Sequence, residues 1–105
     1  MSARVGQTVL VRLLNASYAV AEYRLGADAQ VIAQDGHPFG VPPLHAYSAP
    51  YTISANRPFR LTAAMRYDLL VRPTSAGTIP FSVDYLDWRG YGSRGRARTT
   101  ITVGA

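Results

Sequence analysis

Every apolar run in this chain is strand-sized, and each is stopped by a turn signal. Residues 8–14 read Thr-Val-Leu-Val-Arg-Leu-Leu, β-branched and aliphatic and too short for a capped helix. Residues 23–25 are cut off by Gly26, and residues 30–34 (Gln-Val-Ile-Ala-Gln) by the turn dipeptide Asp35-Gly36. Shorter candidates at 51–53 and 59–62 flank Asn56-Arg57-Pro58. Residues 66–72 and 79–88 are the clearest later strands; in the second, Phe81, Val83 and Tyr85 alternate with Ser82, Asp84 and Leu86. Residues 99–103 alternate threonine with aliphatic side chains. A helix over 19–25 is disfavoured by Gly26 and by the lack of a capping box. About eight short strands, with turn signals every 8–12 residues or so, predict an all-β fold, a Greek-key β-sandwich.

The length of 105 residues bounds this to one domain spanning residues 1–105. A chain of that size buries roughly two-thirds of its unfolded surface, enough for one core, and the 48% apolar content can supply it. No apolar run reaches the ~18 residues of a spanning helix, so no transmembrane segment is expected. Neither an internal repeat nor a low-complexity tract is present. Between Gly36 and Pro50 lie Pro38, Pro42, Pro43 and Pro50. Proline fixes φ and removes a donor, so this connection is expected to run over the surface outside any sheet. Its length suits a crossover between two sheets.

The charge of +5 comes from eleven arginines against six acids, with no lysine. Only Arg89, Arg94, Arg96 and Arg98 cluster without an intervening acid. They read as a solvated hairpin or tail, since the aromatic interleaving of strand-face RNA binders is thin; no nucleic-acid partner is expected. Without cysteine there is no disulfide, thiolate nucleophile or blue-copper thiolate. His37 and His45 are two imidazoles in the proline-rich connection, short of the three or four ligands of a closed metal site. They read as scattered loop histidines. Among the acids, Asp35 precedes a turn glycine, where aspartate commonly bonds its own backbone. Asp68 sits near a strand start, suited to local pairing. Asp84 and Asp87 have opposite parity and should point to opposite faces, so no acid–base pair emerges. The serines lack a nucleophile-elbow context, and Gly90 to Gly95 joins two strands as a hairpin tip rather than leading into a helix. Tyr47, Tyr51, Trp88 and Tyr91 lie at loops or strand ends, where they either cap the sandwich or stack on a sugar or partner.

Three segments read together are more specific. Residues 9–17 (Val-Leu-Val-Arg-Leu-Leu-Asn-Ala-Ser), 30–38 (Gln-Val-Ile-Ala-Gln-Asp-Gly-His-Pro) and 66–71 (Arg-Tyr-Asp-Leu-Leu-Val) resemble three strands of multicopper oxidases in order and spacing. The resemblance covers residues 5 to about 88 and is to the second, middle cupredoxin-like domain of three-domain enzymes such as laccases. It implies structural roles for Arg12, Asn15, Asp35, Gly36, Arg66, Tyr67 and Asp68. Asn15 would end a strand on neighbouring backbone, Asp35-Gly36 would make a tight turn, and Arg66 would pair with a carboxylate. Two departures stand out. Ala64-Met65 replaces the usual glycine-containing pair, and the strand that usually precedes Val5 is missing, which implies a fragment of a longer chain.

In that family the middle domain usually binds no copper and packs between copper-bearing neighbours. The family's ligands come from His-x-His and His-Cys-His segments, neither of which occurs here. The resemblance therefore implies a non-catalytic domain without a cofactor or metal of its own. Its parent would be an exported, periplasmic or extracellular copper oxidase, and its partners the cupredoxin domains of the same polypeptide. The alternative is a copper-free cupredoxin-like binding protein, with Trp88, Arg89, Tyr91 and Arg94 forming a partner surface. A carbohydrate-binding sandwich using Tyr47, Tyr51 and Trp88 ranks last, because nothing fixes those rings on one face.

Overall fold

A computed structural model describes residues 1–40 and 49–105. His45, Tyr47, Pro42 and Pro43 lie outside the described residues. Ten strands and no helix are described: β1 (Ser2–Arg4), β2 (Val9–Leu14), β3 (Val20–Leu25), β4 (Ala29–Gln34), β5 (His37–Pro38), β6 (Tyr51–Ile53), β7 (Phe59–Leu61), β8 (Arg66–Val71), β9 (Gly77–Leu86) and β10 (Ser93–Gly104). The all-β expectation holds. No helix long and apolar enough to cross a membrane occurs among the described residues.

The strands form two sheets. The first runs β1-β10-β9-β3-β7; the second runs β2-β8-β4-β5, with β6 also pairing β4. All pairs are antiparallel except β1 with β10. Alternation decides which side of each strand goes inward. In β2, Val11 and Leu13 are buried while Leu10, Arg12 and Leu14 face out. In β4, Ala29, Val31 and Ala33 are buried. The first sheet contributes Ala21, Leu25, Leu61, Phe81 and Ile101 to the same cluster that takes Val11, Val31, Leu69 and Val71 from the second. One sandwich-like core therefore lies between the sheets. At roughly 25 cal/mol per Å² of apolar surface, this burial is the main favourable contribution to the fold.

Several segments differ from the sequence expectation. A short strand does precede Val5: β1, which pairs β10. The strand expected at 23–25 starts earlier, at Val20, because β3 lies between β9 and β7 and pairs both. The proline-rich connection leaves β5 and returns at β6, and both strands pair β4. It is not a crossover between sheets; residues 54–58, from β6 to β7, make that passage. Pro38 does enter a sheet, opposite Ala33 at the β5 edge, where a missing N–H is tolerated. The last strand begins at Ser93, well before residue 99, because β9 supplies a partner all along it. The preceding strand ends at Leu86, so the parity argument does not reach Asp87.

Candidate functional site

The three motif segments become adjacent strands. Residues 9–17 supply β2, 66–71 supply β8 and 30–38 supply β4 and β5, in the spatial order β2-β8-β4-β5. Their register sets Arg12 opposite Asp68, with Nε 3.8 Å from the carboxylate. Asp35 and Gly36 form the two-residue β4–β5 turn with φ of 50° and 81°, the pair of positive values a primed hairpin turn requires. Asp35 also reaches across to β8. Its Oδ1 accepts the N–H of Arg66 at 2.8 Å, and its own N–H donates to the Arg66 carbonyl at 3.0 Å. The Arg66 guanidinium stands 3.9 Å from the same carboxylate. Arg66 and Asp68 lie on the outer side, whereas Tyr67 turns in and stacks on Phe59 of the other sheet, with centroids 6.3 Å apart. Arg12, Leu14, Gly36, Pro38, Arg66 and Asp68 line one open depression on the second sheet.

Asn15, at the end of β2, is buried to 1% exposure. Its Nδ2 donates to the carbonyls of Ala19 at 2.8 Å and Leu61 at 3.0 Å. Its Oδ1 accepts the N–H and hydroxyl of Ser17. A single amide thus ties the second sheet to β7 of the first and starts the turn into β3. Sequence reasoning placed Asn15 at a strand end; the long-range clasp on Leu61 depends on tertiary placement.

The outer face of the first sheet carries a row of charges across four strands. Arg96 of β10 lies opposite Asp84 of β9, which lies opposite Glu22 of β3, which lies opposite Arg60 of β7. Arg96 holds Asp84 through two bonds of 2.6 and 2.9 Å. Arg60 reaches Glu22 at 2.8 Å, and Arg24 adds a contact at 3.6 Å. The Arg96 hydrogen bond, joined by its charge and the Ser93 hydroxyl, outweighs burial and holds the Asp84 carboxyl below its ordinary range. Asp87 is lowered by the Arg89 backbone N–H and then by Arg94, which forms an ion pair with it.

The four residues expected to form a partner surface come together around the β9–β10 turn. Trp88 and Tyr91 are more than half exposed. Trp88 donates its indole N–H to the Tyr18 carbonyl, and the Arg60 guanidinium lies 4.8 Å from the Tyr91 ring centroid. Arg89 donates its backbone N–H to Asp87, and Arg94 is pinned by the same carboxylate. Tyr18, almost fully exposed, and Arg60 belong to this surface but were missed. Glu22, Arg60, Asp84 and Arg96 lie far apart in the sequence, and only the pairing register aligns them.

Tyr51 and Trp88 do not share a site: Tyr51 packs on Phe39 and donates towards the Tyr67 hydroxyl, while Trp88 engages Tyr18. Burial, with the Tyr67 contact second, raises the Tyr51 phenol above its ordinary value. The chain has no cysteine, and no group of three or more His, Cys, Asp or Glu side chains placed to hold a metal occurs among the described residues. Comparison with protein-family models, curated proteins and solved structures gives no match.

Proposed function

We propose that this chain is the non-catalytic, copper-free middle domain of a multicopper oxidase, with its two sheets arranged as a cupredoxin-like Greek-key sandwich. In this reading the parent polypeptide is exported, oxidises small reductants or metal ions one electron at a time, and reduces dioxygen to water. The observation that carries the reading is the convergence of the three motif segments on neighbouring strands, with their polar side chains engaged with one another and with backbone. That is the work of a scaffold. The exposed Leu10 and Leu14 beside Arg12 give its outer face apolar area for a neighbouring domain. Dialysed against Cu²⁺ and desalted, the chain is expected to retain no stoichiometric copper and to oxidise no phenol or ferrous ion in air. Turnover by the chain alone would overturn the proposal.

A second reading, a copper-free binding module, is favoured by the exposed Trp88, Tyr91 and Tyr18 gathered at one turn. Replacing Trp88 and Arg94 by alanine separates the two: partner binding is lost under the second reading and unchanged under the first.

A further inference from the structure

We propose that the open edge of β10, residues 93–99, accepts an extended segment of a partner protein as an added strand, with acidic side chains on its outer face and an apolar side chain beneath. The inference goes beyond both readings above, because a middle domain and an independent module would present the same edge.

Strand β10 is twelve residues long, but β1 pairs only with residues 102–104. The Met1 carbonyl accepts the Thr102 N–H, and the Met1 amino group reaches the Thr100 carbonyl. Among the described residues no strand continues along this side from Thr99 back to Ser93. Thr100 and Thr102 turn backbone groups toward β1, so by the two-residue period Arg98 and Arg96 turn an N–H and a C=O toward the open side. Such a row of unpaired groups is a template for another strand.

The side chains define what that strand must carry. Gly95, Ala97 and Thr99, on the inner side, are small and exposed. Beside them is a cavity of about 130 Å³ lined by Tyr23, Phe81, Val83, Ala97 and Thr99. It is comparable to the roughly 150 Å³ that admits a benzene ring. One large aliphatic or aromatic side chain from an added strand fits there. On the outer side stand Arg96 and Arg98, opposite Asp84 and Ser82 of β9. Arg94 and Arg96 have carboxylate partners, but Arg98 forms no ion pair among the described residues. Its row continues to Ser82 and then Arg24, with no acid opposite. A second copy of this chain is a poor occupant, because antiparallel pairing centred on Ala97 sets Arg96 against Arg98 of the other copy. Like charges directly opposite are destabilising. Acidic residues alternating with apolar ones match both faces.

The probe is a blocked seven-residue peptide alternating glutamate with valine, with a central phenylalanine; its lysine-for-glutamate counterpart is the control. With the 105-residue chain, the acidic peptide is expected to bind saturably and to slow amide exchange at Arg96 and Arg98. Arg98→Glu should weaken binding about tenfold or more. Arg98→Pro should abolish it without shifting the urea midpoint, since the lost N–H faces solvent and the β9 ladder is kept. The lysine peptide should not bind. Equal binding by Arg98→Pro, amide changes located elsewhere, or no binding at about 1 mM peptide would each overturn the proposal. So would protection of Arg96 and Arg98 in the protein alone that vanishes on dilution, which would assign the edge to a second copy. If Arg98→Pro fails to fold, Arg98→Glu decides, and unchanged affinity in that variant refutes the charge match.

Discussion

Ala64 holds a φ of 64°, the left-handed region that an L side chain enters at a cost of about 1–2 kcal/mol. It occupies the third position of a turn in which the Met65 N–H donates to the Thr62 carbonyl, where glycine is favoured. Its own N–H donates to the Asn15 carbonyl, so the surrounding bonds keep it there. This is the place where the motif resemblance leads one to expect a glycine nearby. Ala64→Gly should raise unfolding stability by about 0.5–1 kcal/mol in urea melts; a loss of stability would show that the alanine is unstrained. Asn15→Ala removes both donors that satisfy Ala19 and Leu61 from a buried site. It should lower the urea midpoint by the equivalent of about 2–3 kcal/mol at unchanged slope.

At the scale of strands, Gly26 closes β3 directly against Pro80 of β9. A Cβ at Gly26 would stand 2.5 Å from the proline Cδ, on a ring that cannot rotate away. Gly26→Ala is expected to cost about 1–3 kcal/mol, and Pro80→Ala in the same chain should recover part of that loss. Additive losses would refute the clash. The Asp84–Arg96 bridge between β9 and β10 makes a pH prediction. A carboxyl whose folded pKa is depressed adds stability that is present above its unfolded value of about 3.9 and lost as pH falls through the folded value. The stability difference between wild type and Arg96→Gln should therefore be constant from neutral pH to about 5 and shrink below 4. A difference independent of pH down to acid unfolding would contradict the bridge.

Strand existence was legible wherever alternation was strong. Phe81, Val83 and Tyr85 pointed to β9, and Asp35-Gly36 to the β4–β5 turn with its positive φ values. What failed was whatever depends on partners distant in sequence. The early start of β10 rests on β9, since eight consecutive exposed residues carry no burial pattern to read. Pro38 was excluded from a sheet by a rule that holds for central strands and relaxes at edges.

For the whole molecule, net charge and sheet geometry divide the surface in two. The second sheet's outer face holds the motif pairs Arg12–Asp68 and Arg66–Asp35; the first sheet's outer face and its β9–β10 turn hold the arginine–aromatic group. Most residues of both groups were named from sequence, Tyr18 and Arg60 excepted, but their segregation onto opposite sheets was not, because it follows from pairing order rather than from spacing. The Trp88–Tyr18 and Arg60–Tyr91 contacts show the same limit: each joins segments distant in sequence that meet only through the fold. A scaffold between two neighbours needs two such faces, as the proposed middle domain does. The deciding measurement for that proposal is the coding sequence on either side of residues 1–105. A middle domain requires flanking segments with His-x-His and His-Cys-His motifs in the same frame. Similar flanks without those histidines would favour the binding module, and a frame that opens at Met1 and closes after Ala105 would contradict the claim.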